Sequence, residues 1–157
     1  MTRAFLPSIL VSSSALVCGC TSDAPAIEIT QVVSQELHVD DDRLDDLVLH
    51  VRYEDADGDL GGGQVVVHDC RDAAFVSRFP IDPIATPDAV EAGIAIEGEI
   101  VITIADVEMI APAVKRPELC VTAGAAVGAF CVVIEDAAGN PSNGACTGAI
   151  TYVVPDA

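Results

Sequence analysis

From Ile27 to Val154 the chain is written in short runs that alternate apolar and polar residues, and no long segment repeats at the helical period. In "DLVLHVRYE", Leu47, Leu49, Val51 and Tyr53 share one face of an extended strand, while Val48, His50, Arg52 and Glu54 share the other. "QVVVHDC" follows a glycine-rich turn. "GIAIEGEIVITIAD" then places Ile94, Ile96, Ile100, Ile102 and Ile104 on one side, with Glu97, Glu99, Val101, Thr103 and Ala105 on the other. Near the end, "AFCVVIED" aligns Phe130, Val132 and Ile134. "AAGNPSNGA" is dense in turn formers, and "CTGAITYVV" resumes with Ile150, Tyr152 and Val154 in phase, which reads as a hairpin. A first strand over Ile27 to Val33 and a weaker one over Ala74 to Phe79 complete the set. Pro80, Pro83 and Pro87 mark an irregular connection, Val107 to Ala113 reads as a helical turn or loop, and Thr122 to Ala129 as a turn. Many short strands with turn signals and no strand–helix rhythm predict one all-β domain over residues 26–157, an antiparallel β-sandwich of seven or eight strands.

Composition narrows what such a domain can do. A hydrophobic share of 51% with aromatics at 4% and no Trp means a core of Val, Ile, Leu and Ala, without broad aromatic platforms for bases or sugars. Asp and Glu number 25 against 7 Lys and Arg, a formal charge of -18. So negative a surface repels phosphate backbones, which excludes nucleic acid as a partner, and it attracts cations.

The first twenty residues, "MTRAFLPSILVSSSALVCGC", have one Arg, then an uncharged apolar run too short to span a bilayer, then small residues. This is the layout of a cleaved secretory signal. Its end, Val17-Cys18-Gly19-Cys20, resembles the lipobox of bacterial lipoproteins. The resemblance implies a signal peptide over residues 1–19, lipidation of Cys20 as the mature N-terminus, and a tether over residues 20–25. Thr21 in place of Asp implies the outer membrane. Acyl chains stabilise membrane attachment by about 0.8 kcal/mol per buried methylene, so the domain needs no membrane-binding surface of its own.

Export sets the reading of the remaining cysteines, Cys70, Cys120, Cys131 and Cys146. Their spacing matches neither a zinc ribbon nor a CxxC redox motif, and an even number in an oxidising compartment predicts two disulfides with three possible connectivities. The hairpin favours Cys131 with Cys146, which leaves Cys70 with Cys120.

Two motifs bear on the fold. "VVIEDAAGNPSN", Val132 to Asn143, resembles the last hairpin of bacterial immunoglobulin-like domains. "YEDADGDLGGG", Tyr53 to Gly63, resembles a turn of uncharacterised bacterial surface lipoproteins built on such sandwiches. The resemblance implies an immunoglobulin-like β-sandwich, in which these two turns lie at the same end, and it implies nothing about activity.

The chemistry on offer centres on the second motif. Asp55, Asp57 and Asp59 alternate, and Gly58 lets the backbone curl so that several oxygens face one point, a partial shell for calcium. The register excludes an EF-hand: counting from Asp55, the sixth position is Leu60 and the twelfth Val66. If the two turns share an end, Asp136 or Asn140 is placed to complete the shell. The alternative is that Asp and Gly are what any tight turn uses. "HVDDDRLDD", His38 to Asp46, is expected to be a solvated loop. His38, His50 and His68 lack zinc-site spacing. There is no G-x-S-x-G elbow, and Glu97 with Glu99 sits on a solvent face without sugar-stacking aromatics. The expectation is therefore a non-enzymatic, lipid-anchored envelope module that binds a protein or glycan or serves a structural role. A calcium-dependent binding module is the alternative, and an envelope hydrolase a distant one.

Overall fold

A computed structural model describes residues 23–33, 36–40, 43–72, 74–84, 87–105, 107, 116–126 and 128–153. The leader, Cys20 and the start of the tether lie outside the described residues, as does most of the Val107 to Ala113 stretch. In chain order the elements are β1 (Ala26–Val33), β2 (Glu36–Asp40), β3 (Arg43–Leu44), β4 (Leu47–Asp55), β5 (Gln64–Asp69), β6 (Val76–Pro80), α1 (Pro87–Glu91), β7 (Ile96–Ile104), α2 (Glu118–Thr122), β8 (Phe130–Glu135), β9 (Ala145–Cys146) and β10 (Thr151–Val153). The class is all-β.

Two antiparallel sheets form the body, one ordered β1-β4-β7 and the other β6-β5-β8-β9. Their apolar faces meet in one buried cluster: Ile27, Leu47, Leu49, Val51, Tyr53 and Ile102 from the first sheet, with Val65, Val67, Phe130, Val132 and Ile134 from the second. Period two places every one of these on an inner face, and burying each Val, Leu, Ile or Phe side chain is worth about 1.5–3 kcal/mol. Arg52, Glu97 and Glu99 face water on the outer side, as their alternation requires. At the sheet edge, β1 carries a bulge between Ile29 and Gln31, where the Thr30 hydroxyl donates to the His50 carbonyl at 3.3 Å.

Four features differ from the sequence reading. The acidic run after His38 is not simply a loop: β2 and β3 pair antiparallel, and β10 pairs with β2 in parallel, matching Thr151 with Glu36. Fully buried Leu37 supplies the apolar anchor for that small sheet. The C-terminal hairpin is shorter than the alternation suggests. Thr147 ends the β8–β9 ladder, because its N–H donates to the Phe130 carbonyl at 2.9 Å while its hydroxyl accepts the Phe130 N–H at 3.0 Å. The chain then departs to form β10. Ile94 lies before β7 and is 54% exposed rather than inward. Two five-residue helices complete the list, α1 starting on Pro87, where a missing N–H costs nothing, and α2 following Pro117.

The structure joins Cys70 to Cys120 and Cys131 to Cys146. The second pair bridges directly opposed residues of β8 and β9, and the first ties α2 to the end of β5. With sequence separations of 50 and 15, they stabilise by about 4 and about 3 kcal/mol in the chain-entropy model. Both share a second small core with Ala129, in which the Cys70 and Cys131 sulfurs approach to 3.4 Å.

Candidate metal centre

The inward stripe of β4 runs Leu47, Leu49, Val51, Tyr53 and then Asp55, all buried. The period-two geometry that builds the core therefore turns a carboxylate inward at the strand's last residue. Asp55 is 2% exposed. Its Oδ2 accepts the Leu60 N–H at 2.9 Å, while its Oδ1 is buried and has no hydrogen-bond partner. The chain then curls through Asp57 and Asp59, bringing one carboxylate oxygen from each of the three aspartates within 4.8 Å of one another. Oδ1 of each is shielded from water.

Three contacts hold this curl. Gly58 has φ +76, and a Cβ there would stand 2.2 Å from the Ile94 carbonyl oxygen, so only glycine fits. Leu60 is fully buried and plugs the loop into the core. Gly62 and Gly63 bond to the Ile81 and Leu60 carbonyls at 2.9 and 3.1 Å. Two further contacts reach outward from the aspartates. The Asp23 N–H donates to Asp57 Oδ2 at 3.0 Å, and the Asp59 carbonyl accepts the Ala137 N–H at 3.1 Å. The two turns therefore touch, at one end of the molecule.

The electrostatics follow from this geometry. Burial pushes the Asp55 carboxyl up to about 6, with Asp57 and Asp59 adding to the effect and the Leu60 N–H opposing it. Tyr53 is raised by burial and by the neighbouring Asp55 charge. His68 is lowered by burial and by Arg78, against a smaller opposite effect of Glu135.

Asp136 and Asn140 lie in the adjacent turn but are engaged with each other. Asp136 Oδ1 accepts the Asn140 N–H at 2.8 Å, and Oδ2 accepts its side-chain amide at 2.9 Å. The grouped carboxylates are Asp55, Asp57 and Asp59 alone among the described residues. His50 and His68 do not converge: His50 lies on the outer face of β4 with Nδ1 2.9 Å from Glu99, and His68 belongs to β5 in the other sheet. Glu97 meets Arg52 at 3.5 Å on that outer face. The sulfurs of Cys70, Cys120 and Cys131 also cluster, but the disulfides consume them.

Sequence reasoning missed two supports of the fold, the first at this end and the second at the far end of β5 and β8. Asn143 behaves as a strand in miniature, its Oδ1 accepting the Ile27 N–H and its Nδ2 donating to the Ile27 carbonyl, both at 2.8 Å, which ties β1 to the last turn. The buried pair Asp69 and Arg71, 2.6 Å apart, backs the disulfide core, with the guanidinium 5.2 Å from the Phe130 ring centre. The run "HDCRD" carried that signal as alternating charges around a cysteine. Comparison with protein-family models, curated proteins and solved structures finds no match for this chain.

Proposed function

We propose that the protein is exported, lipid-anchored through Cys20, and serves the bacterial cell envelope as a non-enzymatic binding or structural module on an immunoglobulin-like β-sandwich. The observation that carries this reading is the oxidation of all four cysteines beyond Cys20 into two disulfides around one buried cluster. That chemistry belongs to an oxidising compartment, and the lipobox-like Val17 to Cys20 supplies the route there. The strand pairing supports the immunoglobulin-like part. Taking β1, β4, β5, β7, β8 and β9 as strands A, B, C, E, F and G, the observed neighbours are A–B, B–E, C–F and F–G, with β6 as an added strand beside C.

For contact with an envelope protein or glycan, the loop end offers an open cleft of about 390 Å³ between Gly62 and the β8–β9 turn, floored by Gln64, Arg78 and Glu135. The edge strand β6 is the second candidate surface, since Phe75 beside it is 57% exposed and Val76 within it 40%. The outer membrane is the expected address, with Thr21 following the lipidated cysteine.

The test is incorporation of labelled palmitate in a bacterial host, with detergent-phase partitioning. The label and the partitioning are expected in the wild type and lost in Cys20→Ser. A wild-type protein recovered soluble and unlabelled, with its N-terminus elsewhere than Cys20, would overturn the anchor.

A further inference from the structure

We propose that Asp55, Asp57 and Asp59 form a calcium site that locks residue 23 and the β8–β9 turn onto the end of β4. The pointer to an ion is separate from the acidity of the loop. Asp55 occupies an inward position of the strand, is 2% exposed, and keeps Oδ1 buried without a hydrogen-bond partner. A buried carboxylate oxygen left in that state is costly, and a cation against it removes the cost.

The geometry selects the cation. Oxygens on opposite sides of calcium, each 2.3–2.6 Å away, stand up to about 5 Å apart. The three aspartate oxygens lie within 4.8 Å of one another, the span of one such shell. Magnesium demands a tighter and regular octahedron and keeps several waters, for which these shielded oxygens leave little place. Zinc is disfavoured by the donor set, which holds no imidazole and no thiolate. Asp136 and Asn140 hydrogen-bond to each other in the adjacent turn, and the site rests on the three aspartates without them.

An ion here acts beyond its ligands. Asp57 also accepts the Asp23 N–H, and Asp59 also holds Ala137 through its carbonyl. Fixing the carboxylates therefore fixes the first described residues and the last hairpin turn together. Calcium thereby orders the loop end and its cleft, and sets how the domain hangs from whatever precedes residue 23. The site requires no lipid anchor, so its test stands or falls independently of Cys20.

The probe is calcium chloride alone, titrated into the purified, oxidised full chain. Binding is read by calorimetry and by terbium luminescence sensitised through Tyr53, which lies two residues from Asp55 on the same face. The expected result is one ion per chain with submillimolar affinity, weakened by about tenfold or more in Asp57→Asn and in Asp59→Asn, with magnesium a poor substitute. Amide exchange at residues 23 and 137 is expected to slow on adding calcium. Asp55→Asn supplies a signature that simple misfolding would not. It should melt below the wild type in calcium, yet at or above it in metal-depleted buffer, because the buried charge is gone while the Leu60 bond is kept. Absence of saturable binding at millimolar calcium would overturn the proposal. Binding indifferent to Asp57→Asn and Asp59→Asn, or an Asp55→Asn variant equally impaired with and without calcium, would overturn it too.

Discussion

At the scale of residues, Asp55 is where the fold and its own pattern conflict. Its carboxyl is raised to about 6 from an ordinary value near 3.8, chiefly by burial. The folded state therefore holds its proton more tightly than the unfolded chain does. The resulting stabilisation is complete below pH 3.8 and is lost as pH rises through 6. In metal-depleted buffer the protein should accordingly lose on the order of 2 kcal/mol of stability from this group between pH 4 and pH 7.5. Thermal unfolding across that range checks this, with Asp55→Asn as the comparison. If both proteins show the same pH slope in that window, Asp55 is not the responsible group. Gly58 makes a second residue-scale prediction. At φ +76, with the Ile94 carbonyl 2.2 Å from where a Cβ would sit, Gly58→Ala should cost about 2 kcal/mol or more, read as a lower denaturation midpoint with unchanged m. Legibility at this scale was uneven. Asp55, Asp57 and Asp59 could be read because their spacing is local. The pairing of Asp136 with Asn140 could not, since a turn carboxylate is as ready to bond its own loop as to face an ion.

Among the elements, those with a long inward stripe were legible, because period two fixes which face is buried. Leu47 to Tyr53 of β4, Phe130 to Ile134 of β8, and Ile96 to Ile104 of β7 all follow it. What escaped the pattern was set by distant partners or by brevity. β2 is a charge-rich strand made stable by a parallel neighbour more than a hundred residues away, and five-residue helices are too short to show a 3.6-residue period. β9 is the weakest member of its sheet, with just two ladder pairs, Cys131 with Cys146 and Val132 with Ala145. Its attachment therefore leans on flanking contacts: the disulfide, the bonds of Ser142 to Ile134 and of Thr147 to Phe130, and Asn143. Replacing Cys131 and Cys146 together by Ala should cost about 3 kcal/mol. Asn143→Ala should cost about 1–3 kcal/mol by leaving both Ile27 backbone groups unpaired. Chemical denaturation measures both. Amide exchange at Ile27 should quicken in Asn143→Ala, and unchanged protection there would mean that β4 alone holds β1.

For the molecule as a whole, the acidic imbalance raises the question of whether any calcium effect is specific. A chain of formal charge -18 repels itself, and any cation relieves that repulsion diffusely. Sodium chloride should therefore raise the melting temperature of the metal-depleted protein, most of the gain coming by about 0.15 M, where the screening length falls to about 8 Å. A bound ion behaves differently. Its ligand oxygens are shielded from solvent and grouped within 4.8 Å, so much of its interaction escapes screening. Added calcium should still raise the melting temperature at about 0.3 M sodium chloride, saturating with one ion per chain, whereas diffuse neutralisation would already be exhausted. If the calcium increment vanishes in salt, the acidic surface as a whole was its source. If it persists in the wild type and disappears in Asp57→Asn, it comes from the loop, because that substitution removes a single charge from a surface whose total barely changes.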